Sequence, residues 1–413
     1  MSSPTSGAAP QASWVQRGSP AYRRISLALF LAGFATFSLL YCVQPLLPAF
    51  VAHFGVTPAN SALSLSLTTG CLAVAIVLAG ALSEGLGRRG LMFVSMLLAA
   101  LCNLAASLAP SWETLLAARA LEGFLLGGVP AVAMAYLSEE IEPRGLGFAM
   151  GLYVGGSALG GMLGRVAMGV MTEYVDWHIA LAALSLVNLC AAVGFYLLLP
   201  ASRNFVRKSG LGAAYHLQAW GRHLAQPGLL SLFLIGFGLM GVFVSIYNYV
   251  GFLLAGAPHA LSSLQISHVF YAYLFGVVAS PVAGALADRF GRAPVLLSGV
   301  ALMALGVLLT LAAQLSAIVL GIALLTMGFF TAHSVASGWV GRLATQAKGH
   351  ASSLYLLGYY LGSSLLGAGG GWFLQNTGWP GLVASMLVLL AGVLLLALRV
   401  KRLAPKAKAA AAL

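Results

Sequence analysis

Charge is scarce in this chain. Charged side chains make up 7% of its 413 residues, where a soluble domain carries about 25%. A water-facing surface cannot be built from so few, which excludes a soluble enzyme, a disordered chain and a secreted disulfide scaffold. Acidic residues are scarcest, nine against 21 Lys and Arg. Cysteine occurs four times, at Cys42, Cys71, Cys102 and Cys190, always inside an apolar run, and no C-x-x-C is present. Neither a disulfide framework nor a zinc site is indicated, and the four read as small core hydrophobes. Also missing are G-x-x-x-x-G-K-[ST], H-E-x-x-H and a G-x-G-x-x-G between a strand and a helix. No enzyme, metal site or bound cofactor is expected. The net charge of +12 would suit nucleic acid if it formed a patch on a folded surface. Here the basic residues sit between apolar runs, so no nucleic-acid partner is expected.

What is present is apolar length. The chain is 60% hydrophobic, with a mean hydropathy of +0.94. Runs able to cross a bilayer as helices fall at about 26–50, 62–83, 91–109, 114–138, 146–171, 178–199, 228–254, 265–286, 294–313, 316–341, 352–374 and 379–398. The first 24 residues are polar, and the run after them is too long for a signal-peptide core, so it is expected to be an uncleaved anchor. Twelve spans place both termini on one side. The even-numbered loops, the central loop and the termini hold Lys and Arg, while the odd-numbered loops hold none. The positive-inside rule makes the basic side cytoplasmic.

The expected division is a cytoplasmic tail (1–25), a six-helix bundle (26–199), a linker (200–227), a second six-helix bundle (228–398) and a basic tail (399–413). Within the linker, Leu211–Ala225 is either a surface helix or a flexible connection. A repeat runs at an offset near 204. Gly80-Ala-Leu82-Ser-Glu84-Gly-Leu-Gly87-Arg88 matches Gly284-Ala-Leu286-Ala-Asp288-Arg-Phe-Gly291-Arg292, Arg144-Gly145 matches Lys348-Gly349, Gly156-Ser157 matches Gly362-Ser363, and Trp177 matches Trp379. Two related halves facing each other place a site between them.

The two copies of G-x-L-x-[DE]-x-x-G-R resemble the loop signature of the major facilitator superfamily. The resemblance extends over about 26–398 and implies an all-α membrane protein with twelve transmembrane helices, a major facilitator fold of two pseudo-symmetric six-helix bundles, and secondary transport by alternating access. At finer grain the chain resembles the bacterial drug/proton antiporter-like efflux branch. That implies a bacterial inner membrane, a small-molecule substrate, protons as coupling ion without other cofactor, and a monomer in the lipid bilayer. The signature implies a conformational latch at Gly80, Glu84, Gly87, Arg88 and Arg89, with Asp288 and Arg292 as the second copy. A plain topological anchor is the other reading of these residues.

Three charges lie inside spans: Arg119, Glu122 and Arg165. A mid-membrane charge costs about 2.5–3.5 kcal/mol on insertion scales, which makes such residues functional candidates. Arg119 and Glu122 are three apart and share a helix face. Arg119-Ala-Leu-Glu122-Gly123 resembles the family's R-x-x-[QE]-G, whose arginine is linked to proton coupling. Either Glu122 is a proton switch tuned by burial and Arg119, or the pair is static. Span five carries Gly156, Gly160, Gly161 and Gly164 before Arg165. This resembles the antiporter G-x-x-x-G-P-x-x-G-G, with Gly161 for the proline and Arg165 for the last glycine; helix packing alone is the other reading. Candidates for a substrate cavity are Tyr41, Gln44, Asn248, His333 and Tyr359. Proton-coupled efflux is expected. A proton-linked uptake symporter shares the fold, and a non-transporting sensor or scaffold is the rival from another class.

Overall fold

A computed structural model describes residues 14–204 and 213–403, with the side chains of 80–86, Ala131 and Ala213 excepted. Ten helical stretches in it are long and apolar enough to cross a membrane. They make up eleven of twelve spans, with the twelfth broken in two. One, Lys348–Leu403, is two helices that meet at the non-helical Gly378 (φ 68°, ψ −171°), and these are spans eleven and twelve. The missing one is span four, which is broken into Trp112–Leu126 and Pro130–Glu140. The break follows from Gly127-Gly128 and Pro130: the proline cannot donate to the preceding turn and crowds it. A Cβ on Gly127 would come within 2.4 Å of Ala75, and one on Gly128 within 2.1 Å of Ser95.

The other spans are continuous or bent at proline. Span one begins at Pro20, earlier than hydropathy alone placed it, because Ser19 caps Tyr22 and proline fits the first turn. It runs to Tyr41, passes through a 3₁₀ turn at Gln44–Leu46 and resumes as Leu47–Phe54. Pro45 and Pro48 impose that interruption. Spans two and three are Leu63–Leu86 and Arg88–Ser107, and spans five and six are Pro143–Met171 and Trp177–Leu198. Span seven is Pro227–Ala255. Span eight starts at a Ser262–Gln265 capping box, passes a 3₁₀ turn at His268–Ala272 and continues as Tyr273–Phe290. Spans nine and ten are Arg292–Leu309 and Leu315–Leu343. The last helix continues through Arg399, Lys401 and Arg402 to Leu403, since Arg and Lys are good helix formers and suit a helix C-terminus. Part of the linker is a helix, Ala213–Leu224.

Leucines, valines and phenylalanines such as Leu27, Val74, Phe148, Val278, Leu320 and Val388 are exposed along the outer faces of the spans. Serine, threonine, asparagine, arginine and glutamate are buried among the helices. This inverts a soluble protein and suits a lipid surround.

The repeat is visible in the backbone. Gly87 (φ 83°, ψ 140°) joins spans two and three by one residue, and Gly291 (φ 90°, ψ 156°) joins spans eight and nine the same way. A side chain is strained at that φ, so the glycine in each signature is demanded by the turn. The crossing of spans one and five has a counterpart as well. An ideal Cβ on Gly156 or Gly160 would lie 2.3 or 2.2 Å from the carbonyl oxygens of Phe30 and Phe34. In the second half, a Cβ on Gly362 would lie 2.0 Å from the carbonyl oxygen of Phe237. Backbones touch at both crossings, as small residues permit between membrane helices.

One face carries the tail, the even loops and the linker. There Val15 pairs with Ile141 as a parallel bridge, Arg24 donates to the Leu197 carbonyl, and the backbone N–H groups of Arg203 and Asn204 donate to Glu140. We call this the tail face and its opposite the far face.

Candidate functional site

Arg119 and Glu122 project from the first part of span four into the core of the N-terminal half, both fully buried. Arg119 Nη1 donates to Glu122 Oε2 at 2.6 Å. The guanidinium also donates to the carbonyls of Leu39, Leu40 and Ser64 and to Asn103 Oδ1, at 2.9–3.3 Å. Leu39 and Leu40 are available because the helix ends at Tyr41, and the last four carbonyls of a helix have no partner within it. The interruption that Pro45 forces therefore creates part of the arginine's binding site. Glu122 Oε1 is buried without a hydrogen-bond partner among the described residues. Directly beside it, a Cβ on Gly123 would lie 2.0 Å from the Thr68 carbonyl oxygen, so spans two and four are in backbone contact next to the carboxylate. Asn103, which the sequence does not single out, links span three to this group and to Ser185 Oγ at 2.9 Å.

Arg165 occupies a second centre, at the seam between the halves. Its Nη1 donates to the Gly161 carbonyl and its Nε to Gln44 Oε1, both at 2.6 Å. The guanidinium carbon lies 4.1 Å from the ring centre of Tyr41, 4.7 Å from that of Tyr273 and 5.6 Å from that of Phe270. Cations are attracted to such ring faces. At Gly161, where the antiporter pattern has proline, an ideal Cβ would lie 3.3 Å from the guanidinium, so a side chain there would have to share space with it.

Gln44 in turn donates from Nε2 to Asn248 Oδ1 at 2.7 Å, and Asn248 Nδ2 donates to the Gly367 carbonyl at 3.3 Å. Tyr249 OH donates to the same carbonyl at 2.8 Å. A continuous polar relay thus runs from span five through spans one and seven to span eleven. Ser364 Oγ donates to the Ser66 carbonyl at 2.7 Å, and Leu264 N–H to Glu173 Oε2 at 3.1 Å. These contacts join the halves from the middle of the spans to the far face.

Of the candidate cavity residues, Tyr41, Gln44 and Asn248 belong to that relay or abut it. His333 and Tyr359 form a separate cluster in the C-terminal half. His333 Nδ1 pairs with Tyr355 OH at 2.9 Å, and its ring lies 4.7 Å from Tyr359 and 5.7 Å from Phe329.

The loop signature divides. Gly80 and Glu84 lie in the stretch whose side chains are outside the described residues. Arg88 forms an ion pair with Glu139 at 2.7 Å, in the last turn of the second part of span four. Arg89 donates to the Tyr196 carbonyl at 2.6 Å and lies 4.2 Å over that tyrosine's ring. In the second copy, Asp288 stands 3.7 Å from Arg292 and 3.6 Å from Arg342, with an exposed carboxylate. Among the described residues the Arg88–Glu139 pair is closer than either contact of Asp288.

The profile of the Major Facilitator Superfamily matches residues 29–258 and 251–412. A Bacillus subtilis protein described as an uncharacterized MFS-type transporter, YybF, is 44% identical over 378 residues, 91% of this chain and 93% of that one. The Escherichia coli inner membrane transport protein YnfM is 46% identical over 389 residues, 94% of this chain and 93% of its own. The chloramphenicol resistance protein CraA of Acinetobacter baumannii is 34% identical over 184 residues, 44% of each chain. Among solved structures, a bacterial homolog of the human lysosomal transporter Spinster superposes with a TM-score of 0.75 at 14% identity, covering 93% of this chain and 98% of that one. The duplicated signature, the twelve spans, the family profile and the two relatives matched over nine-tenths of their length lead to one conclusion: the chain belongs to the Major Facilitator Superfamily and is a multi-pass membrane protein, a secondary transporter of a small solute and not an enzyme.

Proposed function

We propose that the protein exports a small organic solute across the inner membrane in exchange for protons, as a monomer with its tail face in the cytoplasm. One observation carries the proton coupling. Glu122 is fully buried, has one oxygen bonded to Arg119 at 2.6 Å, and has a second oxygen with no partner among the described residues. Of the nine acidic residues in the chain, it alone sits within a span away from its ends. A carboxylate so placed is poised between two states: burial favours its protonated form and Arg119 its ionised form. A shift of Arg119 during rocking of the half-bundle changes the balance and moves the proton. Efflux is supported by the span-five glycine stripe in contact with span one and by the likeness of part of the chain to a resistance protein. The Lys and Arg content of the tail-face loops supports the orientation.

Everted membrane vesicles with an imposed proton gradient test the reading. Adding a transported solute should dissipate the gradient in wild type and leave it intact in Glu122→Gln. Solute-driven proton movement that persists in the variant rejects Glu122 as the coupling group. Proton and solute entering the cell's interior together marks uptake instead of export.

A further inference from the structure

Arg165 is 1% exposed, and among the described residues no carboxylate lies within ion-pair distance of it. Arg119 and Glu122 neutralise each other, so the seam keeps one whole positive charge in a low-dielectric surround. A buried guanidinium without a counter-charge is costly. Here neutral groups only partly compensate it: a backbone carbonyl, a side-chain amide and three ring faces.

Its hydrogen-bonding edges are unequally used. Nη1 is held by Gly161, and Nε is held by the neutral amide oxygen of Gln44. Nη2, which with Nε forms the side-on fork of a guanidinium, donates no hydrogen bond among the described residues. That fork fits the two oxygens of a carboxylate. A carboxylate there takes both donors and brings the missing negative charge, which the amide of Gln44 does not.

We propose that the transported solute is a small organic carboxylate with an apolar body, and that its carboxylate docks on the Nε–Nη2 edge of Arg165 while its body lies against Tyr41, Tyr273 and Phe270. Docking displaces Gln44 Oε1. Gln44 is also the donor to Asn248, so the solute that satisfies the arginine loosens the bond joining the halves toward the far face. Substrate charge and release of the closure are then one event. The proposal rests on the transport reading but not on proton exchange.

The test is binding to the purified full-length protein in detergent at fixed pH, which needs no proton movement. Benzoate, phenylacetate, cinnamate and octanoate are each compared by calorimetry with their own primary amides, which keep the shape and lack the charge. At least one acid should bind about tenfold or more tighter than its amide. Arg165→Gln should abolish the preference and Arg165→Lys should keep part of it. Hydrogen exchange over residues 44–54 should quicken with the acid and not with the amide. If no acid outbinds its amide in wild type, or if Arg165→Gln keeps the preference, the proposal is overturned. Should Arg165→Gln fail to fold, the acid–amide contrast in wild type and in Arg165→Lys still decides. An intact preference in a protein that moves no protons in vesicles counts against exchange alone.

Discussion

Gln44 and Asn248 are 204 residues apart, the interval of the sequence repeat, and they hydrogen-bond to each other at 2.7 Å. Equivalent positions of the two halves therefore meet at the seam, as residues near a two-fold axis do. The symmetry stops one step away. Gln44 accepts from Arg165, whereas Asn248 donates to a backbone carbonyl on span eleven. A gene-level duplication has left one half with a charged anchor and the other with a neutral one.

Breaking this bridge should open the far side without unfolding the halves. Asn248→Ala leaves Gln44 Nε2 without its acceptor, a loss of about 1 kcal/mol for a hydrogen bond. Hydrogen exchange should accelerate over 44–54 and 248–256, with the core of spans five and eleven unchanged.

Removing one member of the Arg119–Glu122 pair is expected to be more harmful than removing both. Arg119→Ala leaves a buried carboxylate and several carbonyls unpaired and should cost about 3–5 kcal/mol. Arg119→Met with Glu122→Met should be milder than Arg119→Met alone, measured as apparent Tm in detergent. The double variant should be inactive in transport.

The glycines of span five are not equivalent. Gly160→Ala places a Cβ 2.2 Å from the Phe34 carbonyl oxygen, and the fixed backbone there must shift; a cost of about 1–3 kcal/mol is expected. Gly155→Ala meets nothing within 4 Å and should be neutral or stabilising by up to about 1 kcal/mol, the helix propensity gained. Thermal unfolding of the two variants side by side separates contact from composition.

Asp176 caps span six on the far face, accepting from the His178 N–H at 2.8 Å and pairing with the His178 ring. That backbone hydrogen bond, ahead of the histidine's own charge, holds the carboxyl below its ordinary value of 3.8. A depressed native value means the stabilisation is present above the unfolded value and fades as pH falls through the native one. Asp176→Ala should cost about 1 kcal/mol at neutral pH, and the difference from wild type should shrink as the pH is taken below 3.8.

Much of this site is legible in the amino-acid sequence. Arg119 and Glu122 were legible because residues three apart on a helix must share a face, and because charge in an apolar run is conspicuous. Gly87 and Gly291 stood out through repetition. Asn103 and Glu139 did not. Each is one polar residue among many in or beside a span, and its importance comes from partners 16 and 51 residues away. The break in span four is hidden as well, since Gly-Gly-x-Pro inside a long apolar run lowers its mean hydropathy only slightly.

The amino-acid sequence by itself determined residence in lipid, the twelve crossings, the duplication and the single mid-span acid. These depend on local quantities that a bilayer reads directly: apolar length, charge placement and helical period. Only the tertiary structure decided that freed carbonyls of span one receive Arg119, that Arg165 faces three rings and, among the described residues, no carboxylate, and that Gln44 meets its repeat partner Asn248. Those outcomes depend on helices far apart in the chain being brought into contact, and the close glycine crossings that set their spacing act between segments, where no local pattern records them.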